Sequence, residues 1–271
     1  MATYVVGDIH GCFDEFQRLL DKLDFGDGDR LLHTGDMVNG GPDSLATVRW
    51  FAEHDDVATT VLGNHDLHLL AVATGCRKPR SKDQFDDVLQ APDRDELVDW
   101  IRRQPLLVEM GQRVLVHAGL LPHWTVEEAR EAARDIEELL SSPKPEQLLS
   151  AMYGNTPRSL GDAESLEERW RVIVNALTRM RVLRDNGDLD FSFKSTYGEI
   201  PEGKTAWFDV DEPAWEGHQI ICGHWSALGL YRSERVIALD SGCRWGGALT
   251  AFRLDDDQVI QVDANREPVF D

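Results

Sequence analysis

The sequence predicts an α/β core, on three observations. Short β-branched or aliphatic runs end directly in polar, glycine-containing turns; helical patterns alternate with them; and the 271 residues have an ordinary globular composition, 42% hydrophobic and 28% charged. A chain of this length buries roughly three quarters of its unfolded surface. One large domain over residues 1–271 therefore needs no disulfide or metal staple to be stable.

The strands expected are Tyr4 to Val6, Leu31 to His33, Val57 to Leu62, Val114 to His117, Gln219 to Cys222 and Val236 to Leu239. Each is a buried run whose C-terminal end delivers a functional loop. Between the first of them lie helices: Phe13, Phe16, Leu19, Leu20 and Leu23 recur at helical spacing, and Leu45, Val48, Phe51 and Ala52 do so after Pro42 and Asp43. Residues 76–104 and 122–217 are mostly helical in pattern, notably Glu127 to Leu140 and Leu166 to Met180, with charged, proline-containing joints. They read as helical insertions over one face of the core. Strands return at the end: after Val236 to Leu239 come Ala248 to Phe252 and Val259 to Val262, with turns at Gly246-Gly247 and Asp255 to Asp257 that suit antiparallel connections.

Acidic residues number 49 against 28 basic ones, a formal charge of −21 at pH 7. Such a surface repels long polyanions, so an anionic substrate needs a local positive focus, and bound divalent cations supply one. No window approaches the length of a membrane span and the N-terminus lacks a basic, apolar leader, which points to the cytoplasm. Cys12, Cys76, Cys222 and Cys243 form no C-x-x-C pair; they read as reduced thiols.

Strand ends carry a matched set of polar residues: Asp8 and His10 in GDIHG, Asp36 in GDMVNGG, Asn64, His65 and Asp66 in GNHD, then His117 in VHAG and His224 in CGHW. Carboxylate, imidazole and amide oxygen on successive strand ends are what two borderline divalent cations require, with glycine beside each ligand letting the backbone turn toward the metal. A lone D-x-H is an accident of composition. Five such motifs in this chain order are not.

In that order the chain resembles the calcineurin-type metallophosphoesterases of the phosphoprotein-phosphatase superfamily, whose pattern is GDxHG, GDxVxRG, GNHE or GNHD, then two separated histidines. Within it the segments GNHDLHLLA, RRQPLL, HAG, AMYG, NALTRMR and LDSGCRWGGALT resemble the bacterial symmetrical diadenosine tetraphosphatases and not the protein phosphatases. The resemblance implies two mixed sheets packed as a sandwich flanked by helices, and hydrolysis of diadenosine tetraphosphate to two ADP. It implies two divalent metals, manganese or cobalt with iron and zinc as other candidates: one held by Asp8, His10 and Asp36, the second by Asp36, Asn64, His117 and His224. Asp36 thus bridges, and His65 gives a proton to the departing oxygen. The partner implied is a small dinucleoside polyphosphate, with capped RNA 5′ ends as an extension; neither a membrane nor a stable protein partner is indicated.

The second motif departs from the pattern, with Asn39 and Gly40 where protein phosphatases have Asp and Arg. Without that Asp a serine alkoxide is a poor leaving group, whereas ADP leaves an anhydride as a stable anion. A protein phosphatase is therefore disfavoured, and Gly40 alone hints at a metal-binding module with weakened catalysis. Replacement cations stand in the loop Arg77, Lys78, Arg80, Lys82 and in Arg179, Arg181 and Arg184, with Arg181 favoured. Trp207, Phe208, Trp225 and Trp245 are candidates for base stacking, Trp225 foremost because it follows His224, though large aromatics more often pack a core. His33, His54, His68, His123 and His218 fit no ligand slot.

Overall fold

A computed structural model describes residues 1–265, and in it the expected runs form two five-stranded mixed sheets. In the first, β1 (Thr3–Val6), β2 (Arg30–His33) and β3 (Ala58–Thr60) are parallel, and β12 (Ala248–Arg253) and β13 (Gln258–Asp263) add antiparallel on the other side of β1. In the second, β5 (Arg113–Val116), β9 (Gln219–Cys222) and β11 (Val236–Ala238) are parallel, edged by antiparallel β4 (Leu107–Met110) and β10 (Tyr231–Arg232).

Side chains on a strand alternate between faces, and here both faces are apolar. Val5 and Phe252 of the first sheet meet Leu115, Ile221 and Ile237 of the second, with Val61 and Leu239, in a core sealed between the sheets. The alternate residues, among them Val6, Val114, Val116, Ile220 and Val236, face outward into the larger core shared with the helices. Strands buried on both sides read as continuous apolar runs, which is why β1, β5, β9 and β11 were visible in the sequence.

Helix α1 (Phe13–Leu23) buries Phe16, Leu19 and Leu23 and packs on β12 and β13, and α2 (Ser44–Glu53) follows β2. The GNHD motif opens α3 (Asn64–Ala73), while α4 (Asp86–Leu89) and α5 (Arg94–Ile101) make up the first insertion. The second begins with α6 (Val126–Ser141), started by a reciprocal cap in which Thr125 Oγ1 accepts from Glu128 N and Glu128 Oε2 accepts from Thr125 N. It continues through α7 (Glu146–Ala151) and α8 (Leu166–Arg179).

Two expectations change here. The second insertion is helical only as far as Arg179: β6 (Val182–Arg184), β7 (Leu189–Asp190) and β8 (Lys204–Ala206) form a third sheet in the order β7-β6-β8. The turn at Gly246-Gly247 does not close a hairpin, because β11 and β12 lie in different sheets; the segment between them crosses the mouth of the sandwich. The turn at Asp255 to Asp257 does join an antiparallel pair. Among the described residues no helix is long and apolar enough to cross a membrane.

Candidate metal centre

All the polar residues singled out at strand ends converge at the C-terminal ends of the parallel strands, where α/β sheets place their ligands. Asp8 follows β1, Asp36 follows β2, Asn64 follows β3, His117 follows β5 and His224 follows β9. The loops are tied to one another through the backbone: His10 N donates to Asp36 O, Gly11 N to Met37 O and Gly223 N to His117 O, at 2.8 to 2.9 Å. His10, Asp36, Asn39 and His224 all take positive φ, between 52° and 76°. For non-glycine residues that backbone is uncommon and clusters at functional sites.

Two glycines are sized to the carboxylates. A Cβ at Gly223 would lie 1.8 Å from Asp8 Oδ1, and one at Gly63 would lie 2.1 Å from Asp36 Oδ1. Each carboxylate packs against bare backbone and is held there by donors. Asp8 accepts from Thr34 Oγ1 (2.6 Å) and His224 N (2.9 Å), and Asp36 Oδ1 accepts from His65 N (2.7 Å). Asp66, the last residue of GNHD, accepts from the amides of Gly63, Asp36 and Met37 at 2.8 to 3.0 Å, so it locks two of the ligand loops together and is no ligand itself.

The histidines decide what belongs between them. His117 Nδ1 lies 2.7 Å from Thr34 O and His10 Nδ1 lies 3.2 Å from Val38 O. A carbonyl only accepts, so both Nδ1 atoms carry the proton and both Nε2 atoms present a lone pair. Burial keeps the rings neutral, taking His117 down to about 3 and His10 well below its ordinary value. Yet both Nε2 atoms face the same oxygen, Asp36 Oδ2, at 3.5 and 3.6 Å. Lone pairs opposed to a carboxylate are repulsive unless a cation stands among them.

Burial also lifts the Asp8 and Asp36 carboxyls well above their usual range, with Asp240 adding to the effect at Asp8 and Asp66 at Asp36. His224 Nε2 is buried with no hydrogen-bond partner among the described residues. The Asn64 amide oxygen lies 3.4 Å from His117 Nε2 and also faces His224 Nδ1, so acceptor again opposes acceptor where a cation would sit. This is a donor set that fits divalent cations. Among the described residues, ligand atoms of Asp8, Asp36 and His117 lie within 4.8 Å of one another, and so do those of His10, Asp36 and His65. Asp36 is common to both groups, which divide the other residues differently from the sequence expectation: Asp8 stands with His117, and His65 with His10. His65 sits beside His10, ring centroids 4.9 Å apart, and its Nε2 lies 3.3 Å from the Arg244 guanidinium.

Of the expected substrate residues, Arg181 is half-buried at the site, its guanidinium 3.5 Å from His224 O; burial lowers it to about 10, which leaves it charged at neutral pH. Arg77 and Arg80 stand on an exposed loop. With His68, Cys76, Lys78 and Tyr153 they line an opening of about 580 Å³, where the Arg77 guanidinium lies 4.0 Å over the Tyr153 ring. Asn39 tethers this loop: its amide donates to Asp83 Oδ1 (3.1 Å) and accepts from Gln84 N (2.9 Å). His68, on the inner face of α3, reaches Asp83 Oδ2 (3.0 Å) and the Tyr153 hydroxyl (2.7 Å), which makes it a strut and not a surface histidine.

Trp225 is packed and not presented. It is 3% exposed, its indole N–H donates to Ser195 O, and its ring lies against Phe193 and Phe208. Sequence reasoning missed Thr34, Asp240 and Arg244. Asp240 follows β11 as Asp8 follows β1, so its position at a sixth parallel strand end was the available signal.

Comparison with known proteins agrees with this geometry. Residues 1–225 match the family model for calcineurin-like phosphoesterases. The chain is 50% identical to a symmetrical bis(5′-nucleosyl)-tetraphosphatase of Nitrosospira multiformis, over 97% of this chain and 96% of that protein. It is 47% identical to the same-named protein of Chromobacterium violaceum, over 97% and 95%. Its fold is shared with a crystal structure proposed to be a diadenosine tetraphosphatase (TM-score 0.66, 24% identity, 98% and 95% covered) and with a protein serine/threonine phosphatase of Saccharomyces cerevisiae (0.58, 14%, 100% and 82%).

Proposed function

The chain belongs to the calcineurin-like phosphoesterases, and from that premise we propose that it hydrolyses diadenosine tetraphosphate symmetrically, releasing two molecules of ADP. The observation that carries the reading is Asp36 Oδ2, faced by two unprotonated imidazole nitrogens in a site built from five strand ends. We assign one metal to Asp8, His10 and Asp36 and the other to Asp36, Asn64, His117 and His224, with Asp36 shared. Manganese and cobalt are the ions proposed, since the mixed imidazole, carboxylate and amide set admits several borderline metals and supply selects among them. When bound, two such ions neutralise phosphate charge and draw the pKa of water toward neutrality.

The chain's own residues do the rest. Asp8 and Asp36, locked by the Thr34 hydroxyl and the His224 and His65 amides, keep the cradle in one geometry, so little reorganisation is needed as charge develops. His65 carries the proton for the departing oxygen. Burial first and the Arg244 charge second depress its proton affinity, and the polyanionic substrate restores it. Arg181 closes on the phosphate chain from the His224 side, while Arg77 and Arg80 meet its outer phosphates. The same anhydride at a capped RNA 5′ end is a substrate this reading admits. Four free thiols suit work in the reducing cytoplasm.

Incubation of manganese- or cobalt-loaded protein with diadenosine tetraphosphate, with products separated by ion exchange, tests the proposal. ADP alone, lost on chelation, is the expected result. AMP with ATP would overturn the symmetric reading, and turnover of a phosphopeptide in place of the dinucleotide would overturn the substrate class.

A further inference from the structure

Arg244 lies on the segment that leaves the second sheet after β11 and enters the first at β12, in a single 3₁₀ turn, Cys243–Trp245, bounded by Gly242 and Gly246 at φ 71° and 88°. That turn sets the side chain across the mouth of the metal cradle. The guanidinium is half-buried, 4.4 Å from the Trp245 ring centroid, and one of its nitrogens is 3.3 Å from His65 Nε2. Its stem passes over Gly40, where a Cβ would lie 2.8 Å from Arg244 Nε and 3.0 Å from Cζ. A side chain at position 40 and the guanidinium of Arg244 therefore compete for one volume. Gly40 has φ 150°, and glycine there is what leaves the seat open.

Position 40 is also where the second motif departs from the pattern GDxVxRG. We propose that Arg244 is the phosphate-binding arginine of this site, delivered from the inter-sheet crossing into the room left by Gly40, and that its forked donors hold non-bridging oxygens of the phosphorus whose leaving group His65 serves. A guanidinium suits this work because its planar fork matches two phosphate oxygens at once and it keeps its charge when buried. Its position beside His65 places it at the scissile anhydride, whereas Arg77 and Arg80 stand further out on the exposed loop. The inference rests on the phosphoanhydride reading above.

Arg244→Ala is expected to lower kcat/KM for diadenosine tetraphosphate about ten- to hundredfold, the range for losing a charged hydrogen-bond partner. At least half of that loss should lie in KM. Added guanidinium ion should restore part of it, and Arg244→Lys, which keeps the charge and loses the fork, should fall between. ADP binding to the chelated protein, read by calorimetry, should weaken by tenfold or more in Arg244→Ala. A loss confined to kcat, with KM and ADP affinity unchanged and no rescue, would make Arg244 a support for His65 and overturn the proposal. Wild-type protein that binds ADP through Arg244 and yet leaves diadenosine tetraphosphate intact would overturn the substrate reading and leave this one standing.

Discussion

Asp8, Asp36, His10 and His117 stand on loops whose amides bond one another within each sheet and which join across the sheets through His117 Nδ1 to Thr34 O and His224 N to Asp8, while Arg77, Lys78 and Arg80 stand on an exposed loop tied down through Asn39, Asp83 and His68. The cradle is set by backbone bonding to backbone and by the absence of side chains at Gly63 and Gly223; the basic rim is set by the Asn39 and Asp83 side chains, which accept from the amides of Gln84 and Arg80 and bond each other and His68. The first construction fixes the proposed ligands in place, as chemistry demands. The second tolerates displacement, which suits a flexible polyphosphate. Changes in the cradle should therefore act on turnover and metal retention, and changes at the rim on KM.

The largest effect is expected from Asp36→Ala, which removes the carboxylate common to both ligand groups. Losing several kcal/mol of charge stabilisation corresponds to a drop in kcat on the order of 10³-fold or more, with metal content by elemental analysis falling with it. A variant that kept both metals and a tenth of its rate would break the distinction between cradle and rim. Next comes His65→Ala: kcat should fall about 10²- to 10⁴-fold while metal content stays at the wild-type level, because its backbone amide, which serves Asp36, survives the change. Thr34→Val is a milder probe. It keeps the shape and deletes the 2.6 Å hydrogen bond to Asp8, so metal affinity measured by competition with a chelator should fall about 10- to 100-fold.

How much of this was legible follows the same division. The proposed ligands could be read because each motif is local: an apolar run, a glycine and a donor, repeated at five strand ends. Asp240 follows the same local pattern and was readable at its strand end; Arg244 was not, since its use depends on the chain crossing from β11 to the other sheet. Gly246-Gly247 has the composition of a hairpin turn whether or not the flanking strands pair, and composition says nothing of that. The third sheet escaped because β6, β7 and β8 are two or three residues long, too short for alternation to show. Trp225 follows His224 in sequence, yet its indole turns away into the core behind the site.

At the rim, Asn39→Asp sharpens the comparison, because it installs the residue that protein phosphatases carry at this position. The Asn39 amide nitrogen donates to Asp83 Oδ1 at 3.1 Å, so a carboxylate there would oppose a carboxylate and release the loop that bears Arg77 and Arg80. Loss of one hydrogen bond to a charged group, with like charges opposed, should raise KM about tenfold and leave kcat within a few-fold. A rise in kcat instead would mean that residue 39 acts on His65 and not on the rim.

The smallest effect on turnover is expected from Asp190→Asn in the third sheet, beyond Arg181. The Asp190 carboxylate is 2% exposed and accepts from Lys204 Nζ (2.8 Å), Ser192 N (2.9 Å), Ser192 Oγ (2.6 Å) and Arg184 Nε (3.2 Å). Although burial alone would raise it, these donors together hold it well below the usual carboxylate range. A carboxyl depressed in the folded state contributes its stability above the unfolded value near pH 4 and loses it as pH falls toward the folded one. Wild-type thermal stability should thus decline below about pH 4 more steeply than that of Asp190→Asn, whose side chain does not titrate. At pH 7 the variant should be less stable by about 1–2 kcal/mol, since Lys204 and Arg184 are partly exposed and solvent softens their loss. Its KM should rise only through whatever freedom the loosened sheet gives Arg181, and unchanged acid stability would show that the carboxylate is not the knot that holds β6, β7 and β8 together.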